Sequence, residues 1–324
     1  MATPVGTGVV TSLARRYIMP EIVDTIYGSN PVFFRLNNKN KKMVRGGYQI
    51  ETPFMYKRFS NGGSYSGYQT LDVAPNDTVK NGAWDWKQKY VPVTIDGLTL
   101  IKVDSPDAIA NVVKMQFAQA EMEMAELLGS GIMSDGTTDP NDLDGLKGAV
   151  DAGGVTTTYG GLTRASNTWL NSQVDSSTAT LTLAALQSHF MSVKSGGRAP
   201  TVILSRSEQY NRFHALGVSN QRFDIGPSGH DEQLYSAGFT NLLYNNTPWI
   251  EDSHVFDGPN TSNSAILMLN EDYLYFAVSP RADFYLEDFQ QPVTQDAMTA
   301  KILWAGNLIC NNPARQGKMT NVSA

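Results

Sequence analysis

Few residues of the chain are of a type and spacing that could do chemistry, and most of those argue against it. The four histidines, His189, His214, His230 and His254, are scattered, and none lies at a metal-ligand spacing. His230-Asp-Glu232 begins like a zinc-protease helix but lacks the second histidine. All four read as ordinary surface or core histidines. In Asp139-Pro-Asn-Asp-Leu-Asp-Gly145, Asp142, Asp144 and Gly145 fall at the third, fifth and sixth positions of a calcium loop. Pro140 occupies the first, however, and no glutamate closes the loop, so turn building by Asp and Asn is the better reading. Gly6-Thr-Gly8 matches part of a dinucleotide fingerprint, but it ends in Thr11 and follows no strand. In Gly62-Gly-Ser-Tyr-Ser-Gly67 no serine has a glycine two residues away on both sides, so it is not a nucleophile elbow. The single Cys310 excludes an intrachain disulfide and fits a reducing cytoplasm. The sequence therefore points to no enzyme, and to no catalytic, cofactor-binding or metal-binding set.

Composition narrows the class further. At 324 residues, with 41% hydrophobic and 10% aromatic side chains, the chain buries one large core or two modest ones and is not a disordered protein. Only 17% of its residues are charged, against about 25% in ordinary soluble domains. A surface poor in ions suits burial in large subunit contacts, because desolvating a hydroxyl or an amide costs less than desolvating a charge. The net charge is −6, yet Met1 to Arg58 carries nine Lys or Arg against three acids, so the basic excess is local. Within it, Arg35, Lys39, Lys41, Lys42 and Arg45 read as a solvated face or flexible arm, or else as a surface for nucleic acid or for an acidic neighbour. No aromatic residue interleaves Asn37 to Gly47, which leaves no base-stacking platform and no basis for sequence-specific recognition. No secretory signal is read before Ala14, and no run approaches about 18 apolar residues, so no membrane partner is expected.

The elements that would position these residues give an α+β outline. Tyr48 to Tyr56 alternates, with Tyr48, Ile50, Thr52, Phe54 and Tyr56 on one face. Trp84 to Ile95 alternates too, and its apolar set changes parity between Tyr90 and Val91, which predicts a bulge or twist there. Between these runs Ser60 to Gly82 is polar and rich in turn formers; so long a structureless stretch points to a functional projection or to disorder. Strands of about eleven residues would reach about 35 Å, and such an arm needs a partner surface. A helix is predicted from Ser105 as N-cap, with Pro106 at its first position, to a stop at Gly129. Ile109, Val112, Val113, Phe117, Ala120, Met124, Leu127 and Leu128 mark its core face, and Met115, Met122 and Met124 read as core gap fillers. A second compact unit is expected from near Thr178. It contains a helix over Leu183 to Val193, a buried strand over Thr201 to Leu204, and a second helix opened by the capping-box spacing Ser205-Arg-Ser-Glu208. Strands follow around Leu242, Trp249 to Glu251, Ala265 to Leu269, Tyr273 to Val278, Phe284 to Leu286 and Met298 to Ile309.

This order, together with Thr247-Pro-Trp-Ile-Glu-Asp252, Leu267-Met-Leu-Asn-Glu-Asp272 and Trp304-Ala-Gly-Asn-Leu-Ile-Cys-Asn-Asn-Pro313, resembles the tailed-bacteriophage major capsid proteins of the Hong Kong 97-like fold, a fold shared with encapsulins. The resemblance implies an N-terminal arm over 1–45, an extended β-hairpin loop over 46–100, and a peripheral domain over 101–177 with its spine helix at 105–129. An axial domain over 178–283 follows, then return strands of the peripheral domain and a C-terminal tail over 284–324. It implies a subunit that self-assembles into pentamers and hexamers of an icosahedral virion capsid, built in the host cytoplasm around double-stranded DNA. A separate scaffolding protein, a portal and a decoration protein are the further partners, and no cofactor is implied. On this reading Lys57, Arg58, Tyr65, Tyr68, Trp84 and Trp86 lie at subunit interfaces, since aromatics carry much interface energy. Relatives that crosslink subunits through a loop lysine bring Lys57 or Lys80 to mind, with an ordinary interface lysine the better reading of each. An encapsulin-type cellular shell is the alternative, and an unrecognised hydrolase or binding domain a distant third.

Overall fold

The computed structural model describes residues 30–98, 106–177, 180–194, 197–218, 242–256, 264–292 and 294–323. Ser105, His230 and the Gly6 to Thr11 stretch lie outside them. Helix α1 (Pro31–Asn40) runs into strand β1 (Lys41–Met43), so this part of the expected arm is built into the body. Strands β2 (Ile50–Met55) and β3 (Val79–Trp84) form an antiparallel hairpin around the long loop 56–78, and β4 (Lys87–Asp96) follows. Next come α2 (Pro106–Ile132), the one-turn α3 (Leu146–Ala149), the two-residue strands β5 (Thr158–Tyr159) and β6 (Leu162–Thr163), and β7 (Gln173–Asp175). The chain continues through α4 (Leu183–Val193), β8 (Val202–Ser205), α5 (Ser207–Val218), β9 (Leu242–Tyr244) and β10 (Thr247–Glu251). It closes with β11 (Ser264–Leu269), β12 (Leu274–Val278), β13 (Tyr285–Leu286), β14 (Ala297–Cys310) and β15 (Gly317–Val322).

Two sheets divide these strands. In the five-stranded sheet the order is β1, β12, β14, β13, with β4 along the other part of β14. Residues 297–306 of β14 pair antiparallel with β4, and residues 306–310 with β12. Phe117, Met124 and Leu128 of α2 share one core with Val91, Val93 and Ile95 of β4 and with Phe33 and Leu36 of α1. In the six-stranded sheet the order is β7, β15, β11, β8, β10, β9. Its strands β8 and β11 are buried along their whole length, as central strands covered on both faces must be. Helices α4 and α5 cover it through Leu186, Phe190 and Phe213, and Thr182 caps α4 by accepting from the Ala185 N–H at 3.2 Å. Strand β12, inside the expected 178–283 stretch, thus joins the five-stranded sheet, and β15, inside the expected 284–324 stretch, joins the six-stranded one.

Three local expectations are corrected. Helix α2 passes through Gly129 instead of stopping there, because the residue serves close approach: a Cβ on Gly129 would lie 2.5 Å from Asn30 Oδ1 and 2.7 Å from His254 Cε1. Met115 and Met122 are exposed, and of the three methionines only Met124 is in the core. The parity change falls not at Tyr90 but at Asp85 and Trp86, where the chain leaves β3 and restarts as β4, so that Trp84 and Val91 are both buried while Tyr90 faces solvent.

The chain first passes from β4 of one sheet to β7 of the other by way of α2, and its two later crossings are single turns, Glu271–Tyr273 and Pro313–Arg315. These two turns are tied together. Gln316 accepts from the Asn270 N–H at 2.8 Å and donates to the Asn270 carbonyl at 3.1 Å. Glu271 is buried, and Arg35 of α1 grips it through two hydrogen bonds of 2.7 and 2.9 Å. Lys39 lies 3.3 Å from the same carboxylate, and the Thr201 hydroxyl donates to it at 3.0 Å. Further along, Lys318 of β15 meets Asp151 at 2.7 Å with both side chains buried. The guanidinium of Arg164 meanwhile donates to the carbonyls of Asp151, Gly148 and Leu170.

Removing one partner of a buried ion pair strands the other charge. Arg35→Ala and Glu271→Ala should each lower the free energy of unfolding in urea by about 3 kcal/mol. The double replacement Arg35→Met with Glu271→Met should recover most of that loss. Burial pushes the Glu271 carboxyl upward, but Arg35, Lys39 and Thr201 outweigh it and leave the pKa below 4.5. The contribution of this carboxylate is therefore present above its unfolded value and lost as pH falls through its folded one.

Candidate interaction surface

The β2–β3 hairpin has two unlike faces. Its register pairs Ile50 with Trp84 and Met55 with Val79, and the Tyr56 N–H donates to the Thr78 carbonyl at 3.1 Å. On one face Ile50, Thr52, Phe54 and Trp84 turn inward. Phe54 lies 5.9 Å from Trp84 and 5.3 Å from Trp169, centroid to centroid, and Trp84 lies 5.5 Å from Tyr159. Thr52 and Tyr275 of β12 share a 2.6 Å hydrogen bond, and Lys80 donates to Asn167 at 2.8 Å. Gly160, at a φ of +55°, turns the β5–β6 hairpin so that its carbonyl accepts from the Ala83 N–H; a Cβ there would lie 2.7 Å from the Trp84 ring.

The opposite face and the loop beyond it hold large apolar side chains in the open among polar ones. Met55 is 80% exposed, Phe59 75% and Tyr65 67%, and Tyr68, Leu71, Val73 and Val79 are exposed with them. The polar groups of the loop meanwhile bond to each other. Ser60 donates to Asn76, Asn61 donates to the Ala74 carbonyl at 2.8 Å, and Asn76 donates to Asn61. The Gln69 N–H donates to the Ser66 carbonyl at 3.1 Å. The loop therefore satisfies its amides internally while holding large apolar side chains in water, an arrangement that favours a partner surface.

These positions revise the sequence reading. Lys57, Arg58, Tyr65 and Tyr68 lie exposed on the loop. Trp84 does not: it is 3% exposed and packs in the core of its own chain, so it fixes the hairpin to the body. Trp86 is half-buried against that core and donates to the Gly47 carbonyl at 3.1 Å. Met55, Phe59, Leu71, Val73 and Val79 complete the open surface. The out-of-phase position of Met55 beside Phe54, and the spacing of Leu71 and Val73, were the signals for them.

The basic cluster is partly neutralised within the chain, three of its five cations meeting two carboxylates. Arg35 and Lys39 pair with Glu271, Lys41 pairs with Asp283 at 2.5 Å, and the Lys42 ammonium sits 3.8 Å from the centre of the Tyr275 ring. Arg45 is exposed. Residues 31–43 form a helix and a strand packed on the body, so that part of the cluster is not a flexible arm. The acidic loop is likewise engaged. Lys89 meets Asp142 at 2.6 Å, Lys87 donates to the Pro140 carbonyl at 2.5 Å, and Asn307 of β14 donates to Asp144 at 2.7 Å. Among the described residues no group of three or more His, Cys, Asp or Glu side chains is placed to hold a metal, and no helix is long and apolar enough to cross a membrane. Burial pushes the Cys310 thiol up to about 12, far from a reactive thiolate. Burial also lowers His189, whose Nε2 faces Gly317 of β15, to about 4.

No protein-family model and no curated protein sequence matches the chain. Solved structures do. The subunit of the cyanophage A-1(L) capsid asymmetric unit superposes with a TM-score of 0.62 at 13% identity, over 91% of this chain and 93% of that one. The holo-SrpI encapsulin complex of Synechococcus elongatus PCC 7942 gives 0.56 at 12% identity, over 89% and 87%. Gordonia phage Cozz gives 0.54 at 13% identity, over 91% and 87%. The chain has the Hong Kong 97-like capsid fold. Within that fold, the long helix α2 and the two sheets share a core with the inner face of the β2–β3 hairpin, and the loop 56–78 is largely exposed.

The two faces of the hairpin should separate in a folded subunit. Trp84→Ala should lower its stability by about 3 kcal/mol, because it empties a packed aromatic site. Tyr65→Ala and Tyr68→Ala should stay within about 0.5 kcal/mol of the parent, as surface changes do. Urea denaturation of the three variants checks this; equal costs would mean the loop is packed on its own chain.

Proposed function

We propose that this chain is the major capsid protein of a tailed bacteriophage, a structural subunit and not an enzyme. It assembles into pentamers and hexamers of an icosahedral shell around double-stranded DNA. The observation that carries this reading is the exposed loop with its outward Met55, Phe59, Tyr65, Tyr68, Leu71 and Val73, set on a fold whose similar structures include a cyanophage capsid. In an assembly, those side chains lie against a neighbouring copy, with Lys57 and Arg58 at the rim. The low content of charged residues supports large subunit contacts in the same way. A separate scaffolding protein, a portal and a decoration protein complete the proposed partners, and DNA is met without sequence reading.

An encapsulin-type cellular shell is the second reading, supported by the similarity to the Synechococcus encapsulin complex. The contents of purified particles separate the two: nuclease-protected DNA fits a capsid, and protein cargo fits an encapsulin.

Replacing residues 57–77 by Asn-Gly leaves Tyr56 opposite Thr78 and closes the hairpin with a two-residue turn. Circular dichroism and the melting temperature should stay close to those of the parent, whereas electron microscopy should show no closed shells. Normal shells from a well-folded deletion would refute the role assigned to the loop. An unfolded deletion would place the loop in the core.

A further inference from the structure

His254 lies in the turn after β10, where the six-stranded sheet meets α2. Its Nδ1 is 3.2 Å from Asp252 Oδ1, and its Nε2 is 3.1 Å from Glu126 Oε2 on α2. The His254 N–H also donates to Asp252 Oδ1 at 2.8 Å, which fixes the carboxylate against the ring. The ring is largely buried and packs over Gly129, where any larger residue would collide with it. Asn30, just ahead of α1, reaches the same turn of α2 and donates to the Ala125 carbonyl. Three parts of the chain that are distant in sequence therefore meet around Gly129.

The charged groups facing that ring are Glu126 from α2 and Asp252 from its own turn, and Asn30 is the neutral polar group on the α1 side. Next along the seam, Arg206 donates to the Val255 carbonyl at 2.6 Å. Both ring nitrogens face carboxylate acceptors. Only the imidazolium donates from both; a neutral ring has one N–H and must turn a lone pair toward the other carboxylate. Glu126 is solvent-exposed, so its carboxylate has water to turn to when the ring no longer donates to it.

We infer that His254 is a protonation-dependent latch, which ties the turn after β10 to the C-terminal turns of α2 while the ring is cationic and loosens that tie when the ring loses its proton. The hydrogen bond to Asp252 is the largest influence on the ring; burial opposes it, Glu126 adds to it, and the pKa rises from 6.5 to about 9. A raised folded-state value means that the stabilisation is complete below the unfolded value and is lost as pH rises through about 9. The latch is thus closed at neutral pH and opens under alkaline conditions. It concerns movement within one chain and does not depend on what the assembled protein encloses.

Hydrogen exchange followed by mass spectrometry, corrected for the intrinsic pH dependence of amide exchange, tests it on the full chain between pH 7 and 10. Protection in peptides covering residues 121–132 and 252–256 should fall by about tenfold across the titration of the ring, the factor that corresponds to one pKa unit of coupling. In Glu126→Gln the midpoint of that fall should move down by about one pH unit. In His254→Gln the step should vanish. Protection that does not change with pH in the parent, or the same step in His254→Gln, would overturn the latch. Should His254→Gln fail to fold, Glu126→Gln still decides, because it alters an exposed side chain: an unmoved midpoint would overturn the proposal as well.

Discussion

One buried carboxylate holds the two halves of the molecule in register. Glu271 stands in the turn where the chain passes from β11 of one sheet to β12 of the other. Its charge is matched from α1 by Arg35 and Lys39, and the hydroxyl of Thr201, the residue before β8, donates to it, so a helix, the approach to a strand and a crossing are fixed by a single group. The Asn40 side chain reaches the backbone carbonyl of the same residue, adding a second tie from α1. Desolvating a carboxylate is unfavourable, and only this number of partners makes burial tolerable. The return crossing depends on it in turn, since Gln316 is bonded to Asn270, the residue next to Glu271.

With that frame fixed, the hairpin can be apolar on two sides at once. On its inner face Phe54 and Trp84 pack against Trp169 and Tyr159, and Thr52 ties it to Tyr275 of the five-stranded sheet. Its outer face is left without a cover among the described residues. A strand pair on its own would be marginal, and the aromatic anchorage at its base is what lets the far end stand exposed. The rigidity of the base and the openness of the tip are therefore one design: the base orders the hairpin in the free subunit, so less ordering remains to be done when a partner arrives.

Much of this was legible in the residues. The spacing of Val113, Phe117, Met124 and Leu128 specified α2, and the alternation of Ile50, Thr52 and Phe54 specified β2, because burial on one face leaves a period that the side chains must follow. What periodicity does not carry is the identity of the partner. Trp84 reads as an interface anchor because large aromatics suit either setting, and only the glycine turn at Gly160 shows which it occupies. The basic residues from Arg35 to Lys41 read as a free arm because their acids, Glu271 and Asp283, lie more than two hundred positions away. Gly129 reads as a stop, although its missing side chain makes room for His254 and Asn30. Ser205 reads as a cap, yet its hydroxyl accepts from the Trp249 indole at 2.7 Å, and α5 begins two residues later. Each failure has the same origin: a local signal was used by a residue remote in sequence.

The position of β15 has a consequence for how the chain is made. This strand is not at an edge; it lies between β7 and β11, and its Lys318 neutralises Asp151 in the interior. A ribosome releases those residues only after the rest of the sheet has emerged. Until then β7 and β11 lack their common neighbour, and Asp151 lacks its counter-ion. The six-stranded sheet therefore cannot close until its strand latest in sequence has emerged, and the strands made before it wait with an open central slot.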